Sequence, residues 1–317
     1  MHEPTYTRAL TRAWTLVWHH RSTWALGLLA VFVGQFGLAN FIGYLLDSAF
    51  APEPWWPASW GTITISSLNE FIWFIWLTCI ILSGIVFIIV VALCAEGALI
   101  ATAIHWYKVH TILPLRSAWQ RGVEHFWEIC GINILEKALL AVLIMITLMT
   151  LRTVSLATWG GLLLTISLVA VSLLLALTVT VMAIYALGYV IAERRSIPTA
   201  VAQAWQLFDH HFLVSLELSI VLIILNFVIV LALSAGSVIA LIPSSLLALT
   251  AGFTGQMSFV TVAVVLYFFL LIAVAALVGA IFNAFTTSAW IYLFMKMHHE
   301  GIGSRIIHHT RKLFRMQ

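Results

Sequence analysis

The sequence predicts an all-α, polytopic membrane protein with six transmembrane helices, and three observations lead there. Only 9% of the 317 residues are charged and 62% are hydrophobic, with a mean hydropathy of +1.07, whereas a soluble chain carries about a quarter charged residues. No charge occurs from Thr153 to Ala192 or from Leu218 to Met295, and apolar runs of that length need lipid or other helices around them. Backbone polar groups in hydrocarbon must find partners within their own segment, so these runs are helical.

An amphipathic segment comes first. In "RALTRAWTLVWHHRSTWALGLLA", Leu10, Trp14, Val17 and Trp18 oppose Arg8, Arg12, Thr15 and His19 at helical spacing. The polar start is too long for a signal peptide and no small-residue cleavage site follows, so the N-terminus is expected to be retained. The first span is expected over 23–46. The connection from Ser48 to Glu70 is rich in Trp and Pro and has no Lys or Arg; Trp55, Trp56 and Trp60 read as an outer aromatic belt. Further spans are expected over 71–102, 131–151, 160–190, 213–241 and 259–295, several longer than the roughly 20 residues a bilayer requires, which implies tilt or projection. A short connection surrounds Arg152, and the one from Pro243 to Gln256 is uncharged.

Charge asymmetry sets the orientation. Every Lys and Arg except Arg152 and Lys137 falls at the termini or in the even-numbered connections: Arg8, Arg12, Arg21, Lys108, Arg116, Arg121, Arg194, Arg195, Lys296, Arg305, Arg311, Lys312 and Arg315. By the positive-inside rule both termini are cytoplasmic. The expected setting is the cytoplasmic membrane of a bacterium, with membrane lipids and other membrane subunits as partners and no nucleic acid.

The opening segment recurs. Ala13-Trp14, Ala118-Trp119 and Ala204-Trp205 each precede a His by six residues from the Trp, at His20, His125 and His211. In "PLRSAWQRGVEHFWEI", Leu115, Trp119 and Phe126 oppose Ser117, Arg121, Glu124 and Glu128. In "IPTAVAQAWQLFDHHF", Val201, Trp205, Phe208 and Phe212 oppose Thr199, Gln203, Gln206 and His210. Three interfacial amphipathic helices are predicted, each followed by an apolar hairpin, so a threefold internal repeat within a single membrane domain is expected. The units are 5–104, 112–190 and 197–297, with a basic cytoplasmic tail over 298–317. Trp14, Trp18, Trp119, Trp205 and Phe208 are the expected interface anchors, with Arg and His facing water and anionic lipid. The tail carries Ile306, Ile307 and Phe314 for a fourth such helix.

These segments, with "AEGALIATAIHWYKVHTILPLRSAWQRGVEHFWEICGINIL" and "YVIAERRSIPTAVAQAWQLFDHHF", resemble the bacterial multi-spanning proteins grouped with the glycerophosphodiester phosphodiesterase membrane domain, and related six-helix families of unknown function. The resemblance implies a helical membrane fold. It does not imply phosphodiesterase activity, because the namesake chemistry resembles a separate TIM-barrel domain that this chain is too short to contain.

Chemistry-bearing residues are few. Twelve histidines all map to the expected cytoplasmic side, four times as adjacent pairs. Adjacent residues on a helix point about 100° apart, so they read as interfacial residues in place of some Lys and Arg, with a pH-dependent surface charge as a further reading. No cofactor is predicted; a haem or metal site at the helix ends is the alternative, with His20, His125 and His211 as its weak candidates. Ionisable groups inside spans need partners, and Glu96, Glu136, Lys137 and Glu217 lie in the cytoplasmic third. They read either as a polar intramembrane site or as ties between helices. Asn226 and Asn283 are expected to bond neighbouring helices, and Ala275, Ala276, Gly279 and Ala280 to permit close packing. Cys79, Cys94 and Cys130 show no metal or disulfide spacing and are expected in the core. No phosphate loop or nucleophile elbow occurs. The expected function is therefore non-enzymatic: a membrane scaffold or accessory subunit organising lipid or a complex. The competing reading is a transporter for a lipid or small amphiphile; a haem, metal or pigment protein is the third.

Overall fold

A computed structural model describes residues 5–31, 68–153, 159–254, 256 and 258–300. Among them no strand occurs, and the helices are α1 (Thr5–His19), α2 (Ser22–Ala30), α3 (Leu68–Val109), α4 (Leu115–Glu124), α5 (Phe126–Thr153), α6 (Trp159–Glu193), α7 (Ile197–His210), α8 (Phe212–Thr254) and α9 (Ser258–Glu300). Five of them, α3, α5, α6, α8 and α9, are long and apolar enough to cross a membrane. The expected span at 23–46 begins as α2, and its remainder lies outside the described residues, as do Trp55, Trp56, Trp60 and the tail beyond residue 300.

The long helices exceed the expected spans. On α3 every residue from Leu68 to Val90 is exposed, whereas Ala92 to Ile104 are buried apart from half-buried Glu96. The exposed part alone is roughly 34 Å long at 1.5 Å per residue, close to the roughly 30 Å of bilayer hydrocarbon. The same polarity recurs: α6 buries Tyr185 to Val190 and exposes most of its first half, α9 buries Asn283 to Ile291, and α8 buries Val214, Ser215, Leu218, Ser219 and Leu222 near its start. In each helix the packed end adjoins the basic connections. Helix α8 also continues through Pro243 to Thr254, where a connection was expected. Beside the proline, Ser244 Oγ donates to the Ala240 carbonyl at 3.2 Å and Ser245 Oγ to that of Ile242 at 2.8 Å.

The chain forms two compact units. One comprises Met1–Leu28, Thr102–Leu113 and Gln206–Gln317, the other Leu29–Ala101 and Pro114–Trp205. In the first, α1 and α2 pack with α9. Asn283 Nδ2 donates to the Gly27 carbonyl at 3.1 Å, the expected helix tie, and a Cβ on Gly27 would run into the Ala280 carbonyl oxygen and reach Ala284 Cβ at 3.1 Å. Of the expected small-residue stripe, Ala280 is buried and Ala275 exposed. Gly27→Ala should therefore destabilise the protein by about 2 kcal/mol, an overpacking cost. Gly236, whose Cβ would meet open space, is the control: Gly236→Ala should be neutral or stabilising through helix propensity. Thermal midpoints in detergent, read by size exclusion after heating, separate the two.

In the second unit α5 and α6 form a hairpin around Leu140 and Ala176, joined by Leu143, Ile144, Leu148 and Leu173. A bond between Thr147 Oγ1 and Ser172 Oγ at 2.8 Å crosses it. Cys94 is buried, Cys130 half-buried and Cys79 exposed on the apolar stretch of α3, so core placement fails for Cys79.

Candidate functional site

Each Ala-Trp segment forms a short helix that breaks at its histidine. Helix α1 ends at His19, α4 at Glu124 and α7 at His210, leaving His20, His125 and His211 at the junctions. At each break the histidine carbonyl accepts the first amide bond of the following helix, from Thr23 at 3.0 Å, Ile129 at 3.0 Å and Val214 at 3.1 Å. The first break is reinforced by side chains. Thr23 Oγ1 donates to the His20 carbonyl at 2.7 Å, and Trp24 Nε1 donates to the Val17 carbonyl at 2.8 Å, one of the groups a helix end leaves unpaired.

Burial selects the small residue of each pair. Ala13, Ala118 and Ala204 are at most 1% exposed, whereas Trp14 and Trp205 are 51% and 54% exposed and Trp119 is half-buried. Four residues on, Val17, Gly122 and Phe208 are also buried. The packed stripe of α1 is Ala9, Ala13, Leu16 and Val17, about one residue around from the stripe expected through Trp14 and Trp18. Those two rings stack at 5.1 Å, Trp14 meets the edge of Phe285, and Trp18 lies 5.9 Å from Trp24. A further pair, Ala289-Trp290, sits within α9 with both residues buried and no such junction.

The polar intramembrane residues divide between the units. Glu217 is half-buried in the first unit. Glu96, Glu136 and Lys137 belong to the second and are assembled by a residue that sequence reading missed. Asn133 Nδ2 donates to Glu96 Oε2 at 2.9 Å and to the Ile129 carbonyl at 3.1 Å. One turn along α5, Lys137 Nζ donates to Glu136 Oε2 at 3.0 Å, with the carboxylate 9% exposed. Both charges act on Glu96. The ammonium thus pairs with Glu136, while Glu96 is held by the neutral amide of Asn133. The helices meet closely here because Gly97 and Gly122 let them. A Cβ on Gly97 would lie 2.9 Å from Gly122 Cα, and one on Gly122 would run into the Cys94 carbonyl oxygen. Asn133 precedes Glu136 and Lys137 by three and four positions in an apolar segment, which was the available signal.

His20 is pushed below the usual imidazole range, first by burial and second by His19. Its neutral form is therefore favoured in the fold. The unfolded chain binds more protons between the lowered value and the ordinary one near 6.5, so stability rises with pH through that window. His20→Gln should flatten the pH dependence of thermal unfolding below pH 6.5. His211 is half-buried, and His125 Nδ1 bonds the Arg121 carbonyl at 3.0 Å. Among the described residues no three His, Cys, Asp or Glu side chains converge as metal ligands, so neither His20, His125 nor His211 belongs to such a group. Comparison with protein-family models, curated proteins and solved structures finds no match to this chain.

Proposed function

We propose that this protein is a non-enzymatic, six-span scaffold or accessory subunit of a bacterial inner membrane, with α1, α4 and α7 as cytoplasmic interfacial helices of a threefold repeat. One observation carries the reading: each short helix buries its alanine, leaves the adjacent tryptophan at least partly exposed, and ends at the corresponding histidine, where the next helix begins. Partly exposed Trp beside a buried Ala suits the headgroup boundary, where the indole body is apolar and its N–H is solvated. The basic connections support a cytoplasmic side for this boundary. Its partners are membrane lipids and other membrane subunits, it needs no cofactor, and its kinship is with the membrane domains it resembles, without their catalytic barrel.

Trp14, Trp119 and Trp205 changed together to Ala should release co-purifying subunits and raise lateral mobility in the membrane, while Glu217→Gln leaves both unchanged. Pull-down stoichiometry and single-particle tracking read this. A second reading, transport of a lipid or small amphiphile, draws on the group formed by Glu96, Asn133, Glu136 and Lys137. It predicts the opposite sensitivity, with flux in proteoliposomes lost in Glu96→Gln and retained in the tryptophan variant.

A further inference from the structure

Within the second unit an open cleft of about 400 Å³ is lined by Glu124, His125 and Glu128 on one side and by Arg194 and Arg195 on the other. That volume falls in the range of small-ligand sites. The acidic wall is made where α4 breaks into α5, and the basic wall by the two residues that follow α6. The walls do not neutralise each other well. Arg194 and Glu124 approach only to 3.9 Å with both side chains largely exposed, a weak pairing, and Arg195 is held at 3.1 Å by Glu193 while still half-exposed. Arg194 also has a φ of 54°. That left-handed conformation caps α6, its amide bonding the Val190 carbonyl at 2.9 Å, as His110 caps α3.

We propose that this cleft binds a zwitterionic phosphodiester carrying a primary ammonium, as in the headgroup of phosphatidylethanolamine. Guanidinium groups offer paired donors that match phosphate oxygens, and two carboxylates accept from an ammonium. His125 donates from Nδ1 to the Arg121 carbonyl, so its neutral ring presents Nε2 as an acceptor on the acidic wall. A lipid with no ammonium would place its headgroup against unmatched carboxylates, and a quaternary ammonium has no N–H to donate. Trp127, 79% exposed between Phe126 and Glu128, marks the headgroup level beside the cleft. The lipid source of the ligand rests on the interfacial reading above; the chemistry of the cleft does not.

Native mass spectrometry of the delipidated full chain in detergent tests this, titrating phosphatidylethanolamine, phosphatidylcholine and phosphatidylglycerol of identical acyl chains. Phosphatidylethanolamine should be retained about tenfold more tightly than either, the worth of one charge-assisted hydrogen bond. Arg194→Gln with Arg195→Gln should lose that retention. Glu124→Gln with Glu128→Gln should bring phosphatidylethanolamine down to the phosphatidylcholine level and improve phosphatidylglycerol, an outcome that does not depend on the arginine variant folding. Equal binding of the three lipids, or a preference untouched by the glutamate variant, overturns the proposal. Competition by soluble glycerophosphoethanolamine at similar concentration would support the site with a free ligand in place of a lipid. The tryptophan variant separates the two claims: it tests the scaffold and should leave headgroup selectivity intact.

Discussion

Gly122→Leu is expected to unseat α4 from α3 and to give the largest loss of stability of any single change considered. The inserted Cβ would meet the Cys94 carbonyl and come within 3.0 Å of the Ala98 amide nitrogen, and backbone atoms in a helix cannot rotate aside as a side chain can. Overpacking a filled core costs about 1–3 kcal/mol and occasionally more; with backbone on both sides, about 3 kcal/mol or more is expected. Gly122→Ala should retain most of that effect, because the first carbon already collides. The measurement is the thermal midpoint of the detergent-solubilised protein, with Gly84→Ala as control, since a Cβ on Gly84 meets nothing within 4 Å. A wild-type midpoint in Gly122→Leu would mean that the close crossing of α3 and α4 does not exist.

The second large effect is expected at Asn133. Asn133→Leu removes the donor that holds Glu96 Oε2 and should destabilise the protein by about 2 kcal/mol, the scale of leaving a buried polar group without its partner. The informative comparison is the double variant. Adding Glu96→Met to Asn133→Leu replaces both partners with apolar side chains of similar size, which leaves no polar group stranded and should restore much of the loss. The double-mutant cycle isolates the pair. Additive losses would show that the two residues act separately, and the polar group would then be two unrelated features.

The regions of helix were legible because the signal is one-dimensional. Lipid removes water as a partner for the backbone, so the apolar stretches of a charge-free run such as Leu218 to Met295 are read as helical. Boundaries were less legible. Hydropathy stops counting where polar residues begin, yet α3 runs on to Val109 and α6 to Glu193, because their ends pack against protein. Pro243 illustrates the same limit: read alone it signals a break, but the helix continues through it to Thr254.

The site was half legible. An ionisable residue in an apolar run announces itself, so Glu96, Glu136, Lys137 and Glu217 could be picked out without coordinates. Asn133 could not, because its value lies in reaching a residue on another helix, and that reach depends on glycines bringing the helices together. On the short helices the packed stripe lies about one position from the one that periodicity picks out, for a related reason. Periodicity identifies the apolar side, and on that side it favours the largest residue. Close packing selects the smallest, so Ala13, Ala118 and Ala204 went inward and left Trp14 and Trp205 outside.

What the sequence by itself determined about this protein is its composition-driven helicity and its local periods: helices through most of the charge-free runs, and short Ala-Trp segments each ending at a His. What only the tertiary structure decided is which residues meet: Gly27 with Ala280 and Ala284, Gly122 with Cys94, Asn133 with Glu96. The physical reason is that helix formation in an apolar segment depends on the composition of that segment alone, whereas contact between two helices depends on how closely their backbones can approach, a property of both surfaces at once.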